Sequence, residues 1–135
     1  MNARITDLVL ELSRRCRASE EKIMNAAGLT PAEYLGLSVI DPAGEMSCRD
    51  LSSIMGLSPS RGSRVIRKLA EKGFLSAREG KDRRYLIVAL AEKGKSTRQL
   101  IERLKNDCEK KIGKKLTAKR RAIVTESING LLEVI

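Results

Sequence analysis

The sequence predicts an α+β chain, mainly helical with one small β-hairpin, and three observations carry that prediction. Apolar residues recur every three or four positions near both ends of the chain, the period of a helix with one buried face. Between Ser47 and Lys93 two short helical stretches meet at a turn holding Gly56 and Leu57, a helix-turn-helix signal. Directly after them, two short runs rich in β-formers flank Glu79, Gly80, Lys81 and Asp82, the composition of a hairpin turn.

Taken in order, Ala3 to Ala27 forms a long amphipathic helix with Ile5, Leu8, Val9, Leu12, Cys16, Ile23, Met24 and Ala27 on its apolar stripe. Gly28 stops it. Thr30, Pro31 and Glu33 start the next: threonine caps, proline fits the first helical position and glutamate closes a capping box. That helix runs from Pro31 to about Ile40, and Asp41, Pro42, Ala43 and Gly44 break it. Glu45 and Met46 are placed to add a very short strand to the later sheet.

Ser47 caps the third helix, with Asp50 three residues on and Leu51, Ile54 and Met55 as its buried face. Gly56 ends it, Leu57 turns toward the core, and Ser58 with Pro59 repeats the cap-then-proline start. On the helix from Pro59 to Lys72, Gly62, Val65, Ile66 and Leu69 form the inner stripe. Ser60, Ser63, Arg64, Arg67 and Lys68 project the other way, with Arg61 on the flank near the helix start. Gly73 closes this helix, and Phe74, Leu75 and Ala77, then Tyr85 to Leu90, supply the two strands. Past Ala91 the chain returns to helix with Leu100, Ile101, Leu104, Cys108 and Ile112 on one stripe. Gly113 is expected to interrupt it. Thr117 then caps a last helix whose stripe is Ile123, Val124, Ile128, Leu131, Leu132 and Ile135.

At 135 residues and 41% hydrophobic content the chain matches one domain, and no apolar run approaches the ~20 residues that span a bilayer. The N-terminus, interrupted by Arg4, Asp7 and Glu11, lacks a secretory pattern, so a cytoplasmic protein with no membrane contact is expected. Cys16, Cys48 and Cys108 lie far apart and the chain has no histidine, which argues against structural zinc. It also removes the commonest general base and activating partner of nucleophiles. The expectation is a non-enzyme without metal or cofactor.

Of the formal charge of +10, the segment from Ser58 to Tyr85 carries much: Arg61, Arg64, Arg67, Lys68, Lys72, Arg78, Lys81, Arg83 and Arg84 stand against Glu71, Glu79 and Asp82. Such a concentration attracts a phosphate backbone and makes affinity fall steeply with salt. A solvated basic face is the plain alternative, and the helical phasing of the cations favours nucleic acid. The outer helices carry more apolar surface than the small central module can cover, which points to a helical dimer interface over a monomeric bundle.

The order of elements, with Ser58, Pro59 and Ser60 opening the fourth helix, Leu69, Gly73 and Phe74 at its exit, and Asp82, Arg83 and Arg84 ahead of Leu86, Val88, Leu90 and Gly94, resembles the MarR family of transcriptional regulators. The resemblance spans nearly the whole chain. It implies a winged helix-turn-helix within one MarR-like domain, residues 1–135, whose N- and C-terminal helices form a dimerisation region. Residues 29–91 are then the DNA-binding module and 1–28 with 92–135 the dimerisation region, with Ile5, Leu8, Leu12, Leu104, Ile128, Leu131 and Leu132 at the interface. It further implies a cytoplasmic homodimer bound to a pseudo-palindromic site on double-stranded DNA, acting as a repressor released by a small-molecule effector.

In that scheme the DNA-binding residues are Ser58, Ser60, Arg61, Ser63, Arg64, Arg67 and Lys68 of the reading helix and Lys81, Asp82, Arg83 and Arg84 of the wing. Arg61 and Arg64 suit base contacts, because arginine pairs bidentately with guanine, while serines and lysine position the protein on phosphates. Arg84 is placed for the minor groove with Asp82 orienting its guanidinium, and Lys81 and Arg83 for phosphates. Tyr34 is placed either to line an effector cleft or in the core. Three departures stand out. Ala91 replaces a capping threonine, Gly62 replaces a bulkier inward residue, and only Tyr34, Phe74 and Tyr85 are aromatic. The competing functions are a thiol-based redox regulator using Cys16 or Cys48, and an architectural DNA- or RNA-binding protein without sequence preference. Against the first, Cys16 continues an apolar stripe that favours burial, Cys48 has a phase that also suits burial, and Cys108 reads as interface packing.

Overall fold

The structure is a computed structural model that describes residues 2–82 and 85–135. Residues 1–101 form one unit and residues 102–135 a second. In chain order the elements are α1 (Ile5–Ala27), α2 (Pro31–Val39), β1 (Met46–Ser47), α3 (Cys48–Ile54), α4 (Pro59–Glu71), β2 (Leu75–Glu79), β3 (Leu86–Leu90), α5 (Glu92–Lys115) and α6 (Ala118–Val134).

Local capping chemistry sets most of these boundaries. At α2, the Glu33 N–H donates to Thr30 Oγ1 at 3.2 Å while the Thr30 N–H donates to Glu33 Oε1 at 3.1 Å, the reciprocal capping box. Ser47 Oγ accepts from the Asp50 N–H at 3.0 Å, Ser58 Oγ from Arg61 at 3.3 Å and Thr117 Oγ1 from Arg120 at 3.2 Å. Gly56 and Gly73 follow α3 and α4 at φ 70° and 85°, a left-handed backbone that glycine adopts without steric cost.

The three strands form an antiparallel sheet in the order β1-β3-β2, with Met46 opposite Val88 and Leu75 opposite Leu90. Under it lies the core of the first unit, where Phe74, Leu37, Ile40, Leu51, Leu69, Val88 and Ile101 are fully buried. The start of α5 ties this unit together through cations. Arg98 Nη1 donates to the carbonyls of Leu37 and Ile40 at 2.8 and 2.9 Å, closing the C-terminal end of α2. Lys93 Nζ donates to Lys72 O at 3.1 Å and lies 4.5 Å from the centroid of the Phe74 ring, so it satisfies the end of α4 and adds a cation–π contact.

Three expectations are corrected. Gly113 does not interrupt α5, which runs on to Lys115; one glycine costs a helix about 1 kcal/mol, too little to end it. Ile54 is 55% exposed and Ser52 is buried in its place, because α3 turns Leu51, Ser52 and Met55 inward and leaves Ile54 on the opposite side. Cys16, expected to be buried, is exposed in this chain. The stripe of α1 divides: Met24 is buried and Ile23 and Ala27 pack against the core, while Ile5, Leu8 and Leu12 are all more than half exposed. In the second unit, Ile123, Val124, Ile128 and Leu132 of α6 are exposed, and no α6 residue is buried.

Candidate nucleic-acid interface

The reading helix α4 is seated by one close approach. Gly62 faces Ser52 of α3 so tightly that a Cβ there would overlap the serine side chain and come within 3.1 Å of its Cα. The unusual glycine thus permits the two helices to pack more closely. Gly62→Ala is expected to lower stability by about 1–3 kcal/mol through overpacking, read as a drop in urea midpoint, with Ser52→Gly restoring part of the loss. An unchanged midpoint would contradict the packing.

With Gly62, Ile66 and Leu69 buried and Val65 half-buried, the opposite face of α4 is fixed toward solvent. Ser58, Ser60, Arg61, Arg64, Arg67 and Lys68 are exposed, whereas Ser63 is half-buried. Ser63 lines a hollow of about 310 Å³ together with Cys48, Arg49, Ser52, Pro59, Tyr85 and Leu86. No acidic residue occupies the first turn of α4, so no carboxylate offsets the positive pole of its dipole beside these cations.

The wing is the β2–β3 hairpin. Within it the Gly80 N–H donates to Tyr85 O at 2.9 Å and the Tyr85 N–H to Asp82 O at 3.0 Å. Lys81 and Asp82 are exposed at its tip, while Arg83 and Arg84 lie outside the described residues. A second hollow of about 470 Å³ between α3 and the wing is lined by Arg49, Asp50, Lys81, Asp82 and Tyr85 among others. Arg49 therefore borders both hollows. Its exposed charge gives no signal in the sequence, because it stands as a lone cation on α3, outside the cation-rich stretch from Arg61 to Arg84.

Two cations of the basic segment have internal partners. Lys72 Nζ donates to Glu33 Oε1 at 2.8 Å and to Gly28 O at 3.0 Å. Arg78 pairs with Glu45, beside β1. Arg61, Arg64, Arg67 and Lys68 make no ion pair among the described residues, so their charge faces outward unneutralised.

Tyr34 is 7% exposed within the core, and burial, with the charge of Glu20, pushes its hydroxyl up to about 12. At Cys48, half-buried at the start of α3, burial pushes the thiol up against the opposing effects of Ser52 and the Arg67 charge.

Residues 27–84 match the MarR family model. That match takes in α2, the helix-turn-helix and the first strand of the wing, a little under half of the chain. No curated protein matches the sequence. Among solved structures the MarR-type fold extends over nearly the whole chain. Streptococcus pneumoniae FabT, solved in complex with DNA, superposes with a TM-score of 0.83 at 18% identity, covering 97% of this chain and 94% of that one. The reduced form of MarR from E. coli gives 0.76 at 19% identity over 98% of both chains. NadR, solved in complex with 4-hydroxyphenylacetate, gives 0.74 at 14% identity over 99% and 96%. The chain thus shares the fold of these three proteins over nearly its whole length. No described helix is long and apolar enough to cross a membrane.

Proposed function

We propose that this MarR-type chain is a cytoplasmic, sequence-specific regulator that binds a pseudo-palindromic site on duplex DNA as a homodimer and acts as a repressor released by a small-molecule effector. The observation that carries the reading is the solvent-facing side of α4, where Arg61, Arg64, Arg67 and Lys68 stand exposed with no acidic residue in the helix's first turn. Arg61 and Arg64, nearest that end, read base edges, while Ser58, Ser60, Ser63, Arg67 and Lys68 hold phosphates. Lys81, Asp82, Arg83 and Arg84 of the wing engage the adjacent groove. Residues 29–91 do the reading, and the segments 1–28 and 92–135 dimerise through Ile5, Leu8, Leu12, Leu104, Ile128, Leu131 and Leu132.

Support for DNA as the ligand comes from FabT, solved with DNA, and for an effector from NadR, solved with 4-hydroxyphenylacetate. Tyr34 is buried among core residues, so an effector reaching its ring must displace core contacts.

Fluorescence anisotropy with duplex from upstream of its own gene, against scrambled duplex at matched salt, tests the reading. The upstream duplex is expected to bind tighter, and Arg64→Ala to remove about 1–3 kcal/mol of that preference. Equal affinity for both duplexes would favour an architectural protein instead.

A further inference from the structure

A second cationic surface, outside the winged module, lies where α5 turns into α6. Lys110, Lys111, Lys114, Lys115, Lys119 and Arg120 are all exposed there. Arg121 is closed off by Glu109, and none of the other six takes part in an ion pair among the described residues. Lys110, Lys111, Lys114 and Lys115 share one arc of α5, with Asp107 as the carboxylate within it and Ile112 and Leu116 outside it.

Helix energetics do not account for this arrangement. Lys114 and Lys115 sit in the last turn of α5, where the carbonyl pole welcomes cations. Lys119 and Arg120 occupy the first turn of α6, which has no acidic residue, and there the pole is positive and repels them. Mutual repulsion among the six adds to the penalty. Positive charge gathered against its local cost suits an external polyanion.

The chemistry of the arc selects among polyanions. Protein interfaces are depleted in lysine and anchored by aromatic or arginine side chains, and this arc offers lysines without an aromatic. An anionic membrane would be met by apolar residues interleaved with the cations, and between Lys110 and Lys115 no apolar residue falls within the arc of the four lysines. Flexible ammonium groups spaced along a helix suit a phosphate chain read without sequence. We infer that the α5–α6 tip binds the phosphate backbone of duplex DNA as a contact separate from the α4 face.

The contact goes beyond the proposed operator reading, and two variants of the full chain separate them. One carries Lys110→Gln, Lys111→Gln, Lys114→Gln and Lys115→Gln. The other carries Arg61→Ala and Arg64→Ala. With labelled duplex of scrambled sequence, removing four phosphate contacts is expected to flatten the dependence of log affinity on log salt by about 3 to 4. The tip variant should keep its preference for upstream duplex. The α4 variant should lose that preference yet retain the tip's share of the salt dependence. Circular dichroism confirms that both fold, since every substituted residue is exposed. A tip variant with wild-type affinity and salt slope overturns the inference. So does wild-type protein that binds polyglutamate or phosphatidylserine vesicles through these lysines while its DNA binding ignores them.

Discussion

Lys72→Met is expected to lower the folding free energy by about 3 kcal/mol, because it strands a buried carboxylate. Glu33 is 2% exposed, and Lys72 Nζ meets its Oε1 at 2.8 Å. The other oxygen, Oε2, is buried with no hydrogen-bond partner among the described residues, so the ion pair and the capping box carry the compensation of this charge there. Burial pushes the Glu33 carboxyl up, but the hydrogen bonds from Lys72 and Thr30 and the charge of Lys72 outweigh it and hold the group below its ordinary 4.5. A carboxyl depressed in this way contributes stability that is present above about pH 4.5 and is lost as pH falls through the folded value. In the methionine variant the sign reverses, since burial without the lysine raises the carboxyl and protonation then relieves the fold. The gap in urea midpoint between wild type and variant should therefore narrow from pH 7 toward pH 4. Adding Glu33→Gln to the variant should recover much of the loss, as a double-mutant cycle would show. A gap that is constant with pH would remove the ion pair as its cause. The same lysine bonds to Gly28 O, so it anchors the end of the reading helix to the α1–α2 turn, and its loss should also weaken binding to upstream duplex.

The parts of this molecule that were legible in the sequence are those decided by neighbours along the chain. Thr30 with Glu33, Ser47 with Asp50, and Ser58 with Pro59 announce helix starts through chemistry confined to four residues, and each cap forms as its spacing requires. The inner stripe of α4 follows from the helical period alone. Partners distant in sequence leave no such trace. Lys72 reads as one more cation of a basic segment, yet it is bonded to a carboxylate 39 positions away, and Arg98 to carbonyls about 60 away. Periodicity also identifies an apolar face without saying what covers it, which is why Cys16 was expected to be packed and is exposed. Gly113 shows the opposite failure, a local breaker outvoted by the turns on either side of it.

Leu12→Asp and Leu132→Asp, made separately, are each expected to dissociate the proposed dimer while leaving the single chain folded. Leu12 is 56% exposed and Leu132 70% exposed, and substitutions at such positions usually change the stability of a chain by no more than about 0.5 kcal/mol. Any larger effect must therefore come from association. In a two-fold interface each substitution enters twice, and burying a carboxylate without a partner costs several kcal/mol. Taking about 4 kcal/mol as the penalty, the dimer constant should weaken roughly a thousandfold. Sedimentation should then find monomer at concentrations where the wild type is dimeric. Affinity for the pseudo-palindromic site should fall with it, because one reading helix engages only half of the site. Affinity for scrambled duplex, set by charge on each chain, should fall less. A Leu12→Asp or Leu132→Asp protein that sediments as a dimer and binds upstream duplex normally would show that the uncovered stripes of α1 and α6 serve some purpose other than self-association.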